Sequence, residues 1–340
     1  MHPRPRLAPK GERRFRCVTL AALVAAFAFA PAAAQPMVKW KHGILESKAD
    51  AGFFYMAIDK GFFKRQGLDV EYIELRGERQ TVRALLADEL DSAETSPGGP
   101  LSAIEHGADI RFIGSTMPGL PYALYVRKEI ERWADLKGKT FGVSAPGAIP
   151  DVIARMMLQR KGVDPNSIKI ANAGGSAGRI QALAAGKIDA TAAASDFVPD
   201  VDKLGIKVMA YAADLVPEYP RYVLTARTET LKQKREQTIG FLTGYMQGLD
   251  YALKNRDETL RLTGKMNDKP ANDPQFTHLY DEVKAKGYVS VTSEIPRSKM
   301  DWLQEEMVRL GDLKKKLDLD KYIDETYRKE ALKRVTAQGS

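Results

Sequence analysis

The 340-residue chain contains a single cysteine, Cys17, and only four histidines. Beyond residue 17 there is no thiol to form a disulfide, bind a soft metal or attack a substrate. His42, His106 and His278 are scattered, without the spacing of a zinc or two-histidine site, and no metal is expected. No Walker loop, G-x-G-x-x-G turn or EF-hand loop is present, so no cofactor is expected either. No apolar run reaches the roughly 20 residues of a spanning helix. A basic stripe interleaved with aromatics is also missing, which argues against nucleic acid as a partner. Lys232–Arg235 and Lys314–Lys316 read as solvated helix faces.

What is present begins at the N-terminus. Arg4, Arg6, Lys10, Arg13, Arg14 and Arg16 precede an uncharged apolar run from Cys17 to Ala30, which ends in Pro31-Ala-Ala-Ala34. Basic region, short apolar core and small-residue cleavage site are the three parts of a signal peptide. Residues 1–34 are therefore expected to be removed near Ala34, leaving a periplasmic protein. Cys17 sits at the start of the apolar run, where a lipid-modified cysteine would follow it. Without residues 1–34 the formal charge falls from +8 to +3, so the basic character belongs mainly to the export signal.

Short apolar runs alternate with longer amphipathic ones in the rest of the chain, the pattern of βα units and parallel sheet. Strands are predicted at 40–45, 70–75, 92–95, 111–114, 140–143, 168–172, 190–194 and 207–211. Helices are predicted at 52–66, 80–87, 150–161 and 178–185. The series repeats. Gly67-Leu-Asp69 recurs as Gly162-Val-Asp164, and Leu85 to Asp91 recurs as Leu183 to Asp189. Several matches in the same order indicate two α/β lobes of one design. Tyr122–Val126 and Tyr222–Ala226 are strand-like and are expected to form a two-strand hinge. Lobe 1 then comprises 37–122 and 227–340, and lobe 2 comprises 126–221, with the helical C-terminal tail packed on lobe 1.

In open α/β sheets ligands bind beyond the carboxyl ends of the strands. The loops there supply Ser47, Asp50 and Phe53; Thr95, Ser96 and Gly98; Ser144, Gly147 and Ala148; Ser176; and Asp196 with Phe197. Glycines admit a close backbone approach, hydroxyls both donate and accept, and helix starts attract anions. The same residues also cap helices in any protein, so the case rests on five such loops at one end of two matching lobes. Arg76 and Arg221, with Arg79 and Arg179 as further candidates, can clamp a carboxylate or sulfonate. Phe53, Tyr122 and Phe197 can stack on a planar ligand or pack in the core.

Gly174-Gly-Ser-Ala-Gly178 fits the G-x-S-x-G elbow of a serine hydrolase, with His278 as the one histidine that follows. It occupies the repeat position that lobe 1 fills with Arg76-Gly-Glu-Arg-Gln80, which explains it as a ligand-facing or capping loop. No catalytic residues are assigned and the chain is not expected to be an enzyme.

The run from Ala51-Gly-Phe-Phe-Tyr-Met-Ala to Gly67-Leu-Asp-Val-Glu71 resembles the opening signature of the SsuA/THI5-like (NMT1) solute-binding proteins. Ala84 to Asp91, Asp135 to Ser144 and Ala182 to Ala190 match it further. The resemblance implies the type II periplasmic binding protein fold, with a small-molecule ligand held between the lobes. It also implies an ABC permease and ATPase in the inner membrane as partners, with the chain itself a monomer. The expected ligand is a small organic anion such as a sulfonate or carboxylate; an aromatic or thiamine-pyrimidine-like heterocycle is the alternative. Cytoplasmic relatives that make a thiamine pyrimidine use a cysteine-rich segment, which this chain lacks. A receptor for a membrane signalling partner is a further reading.

Overall fold

A computed structural model describes residue 1 and residues 36–338, apart from 46, 47 and 146. The expected signal peptide, its cleavage site and Ser47 lie outside the described residues. Among the described residues no helix is long and apolar enough to cross a membrane.

The chain first builds β1 (Val38–Leu45), α1 (Ala51–Asp59), α2 (Phe62–Arg65), β2 (Leu68–Leu75), α3 (Glu78–Leu86), β3 (Ser92–Thr95), α4 (Gly98–Glu105) and β4 (Ile110–Met117). It then builds β5 (Tyr122–Arg127), β6 (Thr140–Val143), α5 (Ile149–Arg160), β7 (Lys169–Asn172), α6 (Ser176–Ala184), β8 (Ala190–Ala194), β9 (Ile206–Tyr211) and α7 (Ala212–Leu215). After β10 (Tyr222–Arg227) it is helical, with α8 (Thr228–Gln233), α9 (Arg235–Lys254), α10 (Arg256–Asn267), α11 (Pro274–Lys286), α12 (Arg297–Leu310) and α13 (Thr326–Gln338).

Two five-stranded sheets result, ordered β2-β1-β3-β10-β4 and β7-β6-β8-β5-β9. Their plans correspond position by position. In each, the fourth strand runs antiparallel to both of its neighbours. The repeated aspartates have a shared task. Asp91 Oδ2 accepts from the Lys41 N–H at 2.8 Å, and Asp189 Oδ2 accepts from the Thr140 N–H at 2.9 Å. Each ties the entry of a central strand to its parallel neighbour. Gly67 and Gly162, at φ +73° and +72°, make the matching left-handed turns that glycine alone enters without strain.

Three expectations change. The helix predicted over 52–66 is two helices, because Gly61 takes φ +67° and breaks the ladder between α1 and α2. The segments expected to form the hinge are ordinary sheet strands, and the chain crosses between the sheets just ahead of each, at 118–121 and 216–221. The C-terminal tail also does not pack on one sheet alone. α9 lies on α1 and α2, whereas α11 packs against the short 3₁₀ segment Ser195–Asp200 that follows β8 in the second sheet.

An aromatic cluster anchors the outer face of the first sheet. Phe241 stacks on Trp40 and Phe63 with ring centres 5.4 and 5.3 Å away. A second core runs from Leu75 and Phe112 through Leu120, Tyr122 and Val216 to Phe141, so apolar packing is continuous from one sheet to the other.

Candidate functional site

A cavity of about 680 Å³ lies between the two sheets at the carboxyl ends of the parallel strands. Of the residues expected there, Asp50, Arg76, Tyr122, Ser144, Ala148, Ser176, Asp196 and Arg221 line it. Thr95, Ser96 and Gly98 sit behind the wall, and the two hydroxyl side chains are fully buried. Phe53 belongs to the core, stacked on Tyr280 at 5.3 Å, because α1 turns its apolar face towards α9 and α10. Phe197 packs on the outer core of the second sheet. Gly147 makes the turn into α5, where its N–H donates to Asp151 Oδ2 at 2.8 Å.

Arg221 arrives from the second crossing and Asp50 from the loop before α1. They meet as a buried ion pair at 2.7 Å, with side chains 7% and 5% exposed. Arg221 also donates to Met117 Sδ, and its guanidinium stands 4.4 Å from the centre of the Tyr222 ring. Burial opposes its charge, but Tyr222 and Asp50 outweigh that and raise its pKa. The charge of Arg221 is therefore compensated by Asp50, while its Nε has no hydrogen-bond partner among the described residues.

Arg179 is different. It projects from α6 and is 2% exposed. Its nitrogens donate to Gly174 O at 2.7 Å, Thr191 Oγ1 at 3.1 Å, Ser176 Oγ at 3.1 Å and Ala192 O at 3.3 Å. All four acceptors are neutral, and among the described residues Arg179 makes no ion pair. Burial lowers its pKa, with Tyr122 opposing. Its place against β8 follows from that strand's sequence, Ala-Thr-Ala-Ala-Ala, whose small side chains leave room for a guanidinium.

The carboxyl groups of the cavity are strained in the opposite sense. Asp196 is 3% exposed, its Oδ1 has no hydrogen-bond partner, and burial together with the nearby Asp50 pushes its pKa up to about 7. Glu78, at the start of α3, is pushed up by burial and drawn back by Ser96 and by backbone N–H groups of Ile149 and Gly99. Ile149 opens α5 on the other sheet's side, so Glu78 faces a helix start across the cavity.

Ser176 stands in the cavity wall. Its hydroxyl accepts from Arg179, while His278 lies 3.9 Å from Glu282, one turn along α11. Among the described residues no group of three His, Cys, Asp or Glu side chains is arranged to hold a metal ion. Arg179, a further candidate from the sequence, also lines the cavity, as do Glu78, Asn172 and Tyr222, which were not among the expected contacts. The repeat held one signal: Glu78 and Ser176 occupy corresponding helix starts.

Comparison with known proteins agrees with this architecture. YtlA of Bacillus subtilis is 32% identical over 117 residues, 33% of this chain and 35% of that protein. The chain thus spans about a third of YtlA's length. The periplasmic nitrate-binding protein NrtA from Synechocystis superposes with a TM-score of 0.73 at 16% identity, covering 88% of this chain and 89% of that one. The periplasmic aliphatic sulphonate binding protein SsuA from Escherichia coli gives 0.68 at 18% identity, covering 84% and 92%. These likenesses establish the periplasmic binding protein fold. The model of the family described as NMT1/THI5 like matches residues 48–259, more than half of the sequence, and the chain belongs to that family.

Proposed function

We propose that this protein is the solute-binding subunit of an ABC importer, capturing a small organic anion of the sulfonate or carboxylate class between its lobes outside the cytoplasmic membrane. The observation that carries the reading is Arg179: a buried guanidinium on the cavity wall, satisfied by neutral acceptors and lacking a counter-charge. An uncompensated buried cation costs several kcal/mol, and an arriving anion offsets that cost on the second lobe. Ser176 and the start of α6 stand beside it with hydroxyl and backbone N–H groups. Contacts from the first lobe, such as those of Arg76, then favour the closed form by no more than the ligand's differential affinity for it. The closed form docks on the permease.

A thermal-shift screen of the purified chain against sulfonates and carboxylates tests the reading, followed by small-angle scattering of each hit. A raised melting temperature with a smaller radius of gyration is expected. No shift across both classes, or a shift unaffected by Arg179→Gln, overturns it.

A further inference from the structure

Asp196 lies in the 3₁₀ segment that follows β8 and lines the same cavity as Arg179. Arg179 donates to the carbonyl of Ala192 in β8, and Tyr122 lies within electrostatic reach of both charged groups. One small molecule in a cavity of about 680 Å³ reaches both.

The charges of the cavity are unevenly compensated. Arg179 has no ion pair among the described residues, while two carboxyl groups, Asp50 and Asp196, stand near a single guanidinium, Arg221, which is committed to Asp50. Asp50 adds to the cost of ionising Asp196. Tyr122 sits among all four charged groups. The neighbouring acid on α11, Glu282, is occupied by Ser195 and lies near His278 and Lys286. Lys48 and Arg76 lie at the exposed rim, where water screens them. A plain alkyl anion answers only Arg179 and leaves the Oδ1 of Asp196 buried without a partner, a penalty that a donor on the ligand removes.

We infer that the captured molecule is dipolar: beside its anionic or acceptor group it carries a nitrogen donor, an ammonium or a ring amine, which binds Asp196 while the acceptor binds Arg179. This rests on the solute-capture reading and narrows it to amine-bearing ligands. Simple sulfonates and carboxylates are then weak mimics of the true cargo.

The test uses matched pairs on the full exported chain, measured by calorimetric titration: 2-aminoethanesulfonate against ethanesulfonate, 3-aminopropanoate against propanoate, and 4-amino-2-methylpyrimidine against 2-methylpyrimidine. The first two pairs present an alkyl ammonium and the third a ring amine. In at least one pair the amine-bearing member is expected to bind about tenfold or more tightly, and in Asp196→Asn the difference shrinks to within about threefold. Amine-free members that bind equally or better overturn the inference and leave solute capture standing. A preference that survives unchanged in Asp196→Asn overturns the assignment to Asp196. If none of the six binds, the inference falls and the capture reading falls with it for these ligand classes. Asp196→Asn removes a carboxyl that burial already disfavours, so it is expected to fold; if it does not, the wild-type pairs still decide.

Discussion

At the scale of single residues, buried charge governs behaviour. Asp50 and Arg221 are both removed from water, so deleting one leaves the other stranded, at a cost of about 3–5 kcal/mol. Arg221→Met should lower the urea-unfolding free energy by about that amount, and the double variant with Asp50→Asn should recover a substantial part of it. Asp196 and Glu94 carry a second consequence. Burial raises both to about 7, helped by Asp50 and opposed by Arg221 for the first, and opposed by Tyr245 and Thr116 for the second. In the unfolded chain such groups titrate near 4. The folded state therefore holds their protons more tightly, and the stability they contribute is complete below about pH 4 and is lost as pH rises towards 7. The ligand-free melting temperature should fall between pH 5 and pH 7.5, and fall less in Asp196→Asn or Glu94→Gln; equal slopes in all three proteins refute the assignment. His42, pushed down to about 3 by burial, stays neutral throughout this range.

At the scale of elements, packing between helices rests on small residues. Gly240, Gly244 and Gly248 form an i, i+4 stripe on α9. A Cβ on Gly248 meets the backbone of Ala57 at 2.8 Å, and one on Gly244 meets Phe63 at 2.7 Å. On Gly240 the nearest atom is Gln66 Cβ at 3.3 Å, a contact relieved by a shift of a few tenths of an ångström. Overpacking costs about 1–3 kcal/mol, whereas alanine gains up to about 1 kcal/mol of helix propensity. Gly248→Ala should therefore destabilise, and Gly240→Ala should be near neutral or stabilising, in denaturant melts of the two variants. The stripe stood in the sequence as plainly as the α9 apolar face of Ile239, Leu242, Tyr245, Met246 and Leu249. It is informative only once α1 is known to lie against it. The split of the first helix at Gly61 was hidden for a related reason. Its hydrophobic spacing runs on through Phe62 and Phe63, and periodicity does not register a left-handed residue that keeps those rings on the same core.

At the scale of the whole molecule, the two crossings share one side chain. Lys299, at the start of α12, donates to Pro118 O and to Pro217 O, both at 2.8 Å, and burial lowers its pKa. α11 adds Gln275 to Asp200 at 2.6 Å and Glu282 to Ser195. The C-terminal helices thus brace the joint between the sheets. Lys299→Met leaves two carbonyls without their donor and should speed amide hydrogen exchange at residues 118–122 and 216–222, with the sheet interiors unchanged. Local periodicity determined the βα alternation, and the chain's own internal matches determined that two sheets share one plan, because both are properties of neighbouring residues. The loops that meet at the cavity were legible for the same reason: each follows a strand. Which side chains in those loops face the cavity was decided only by tertiary structure. Arg221 is paired with Asp50, 171 positions away in sequence, whereas Arg179 finds only neutral oxygens, on β8 and around the start of α6. Charge compensation depends on distance in space, and no spacing along the chain encodes it.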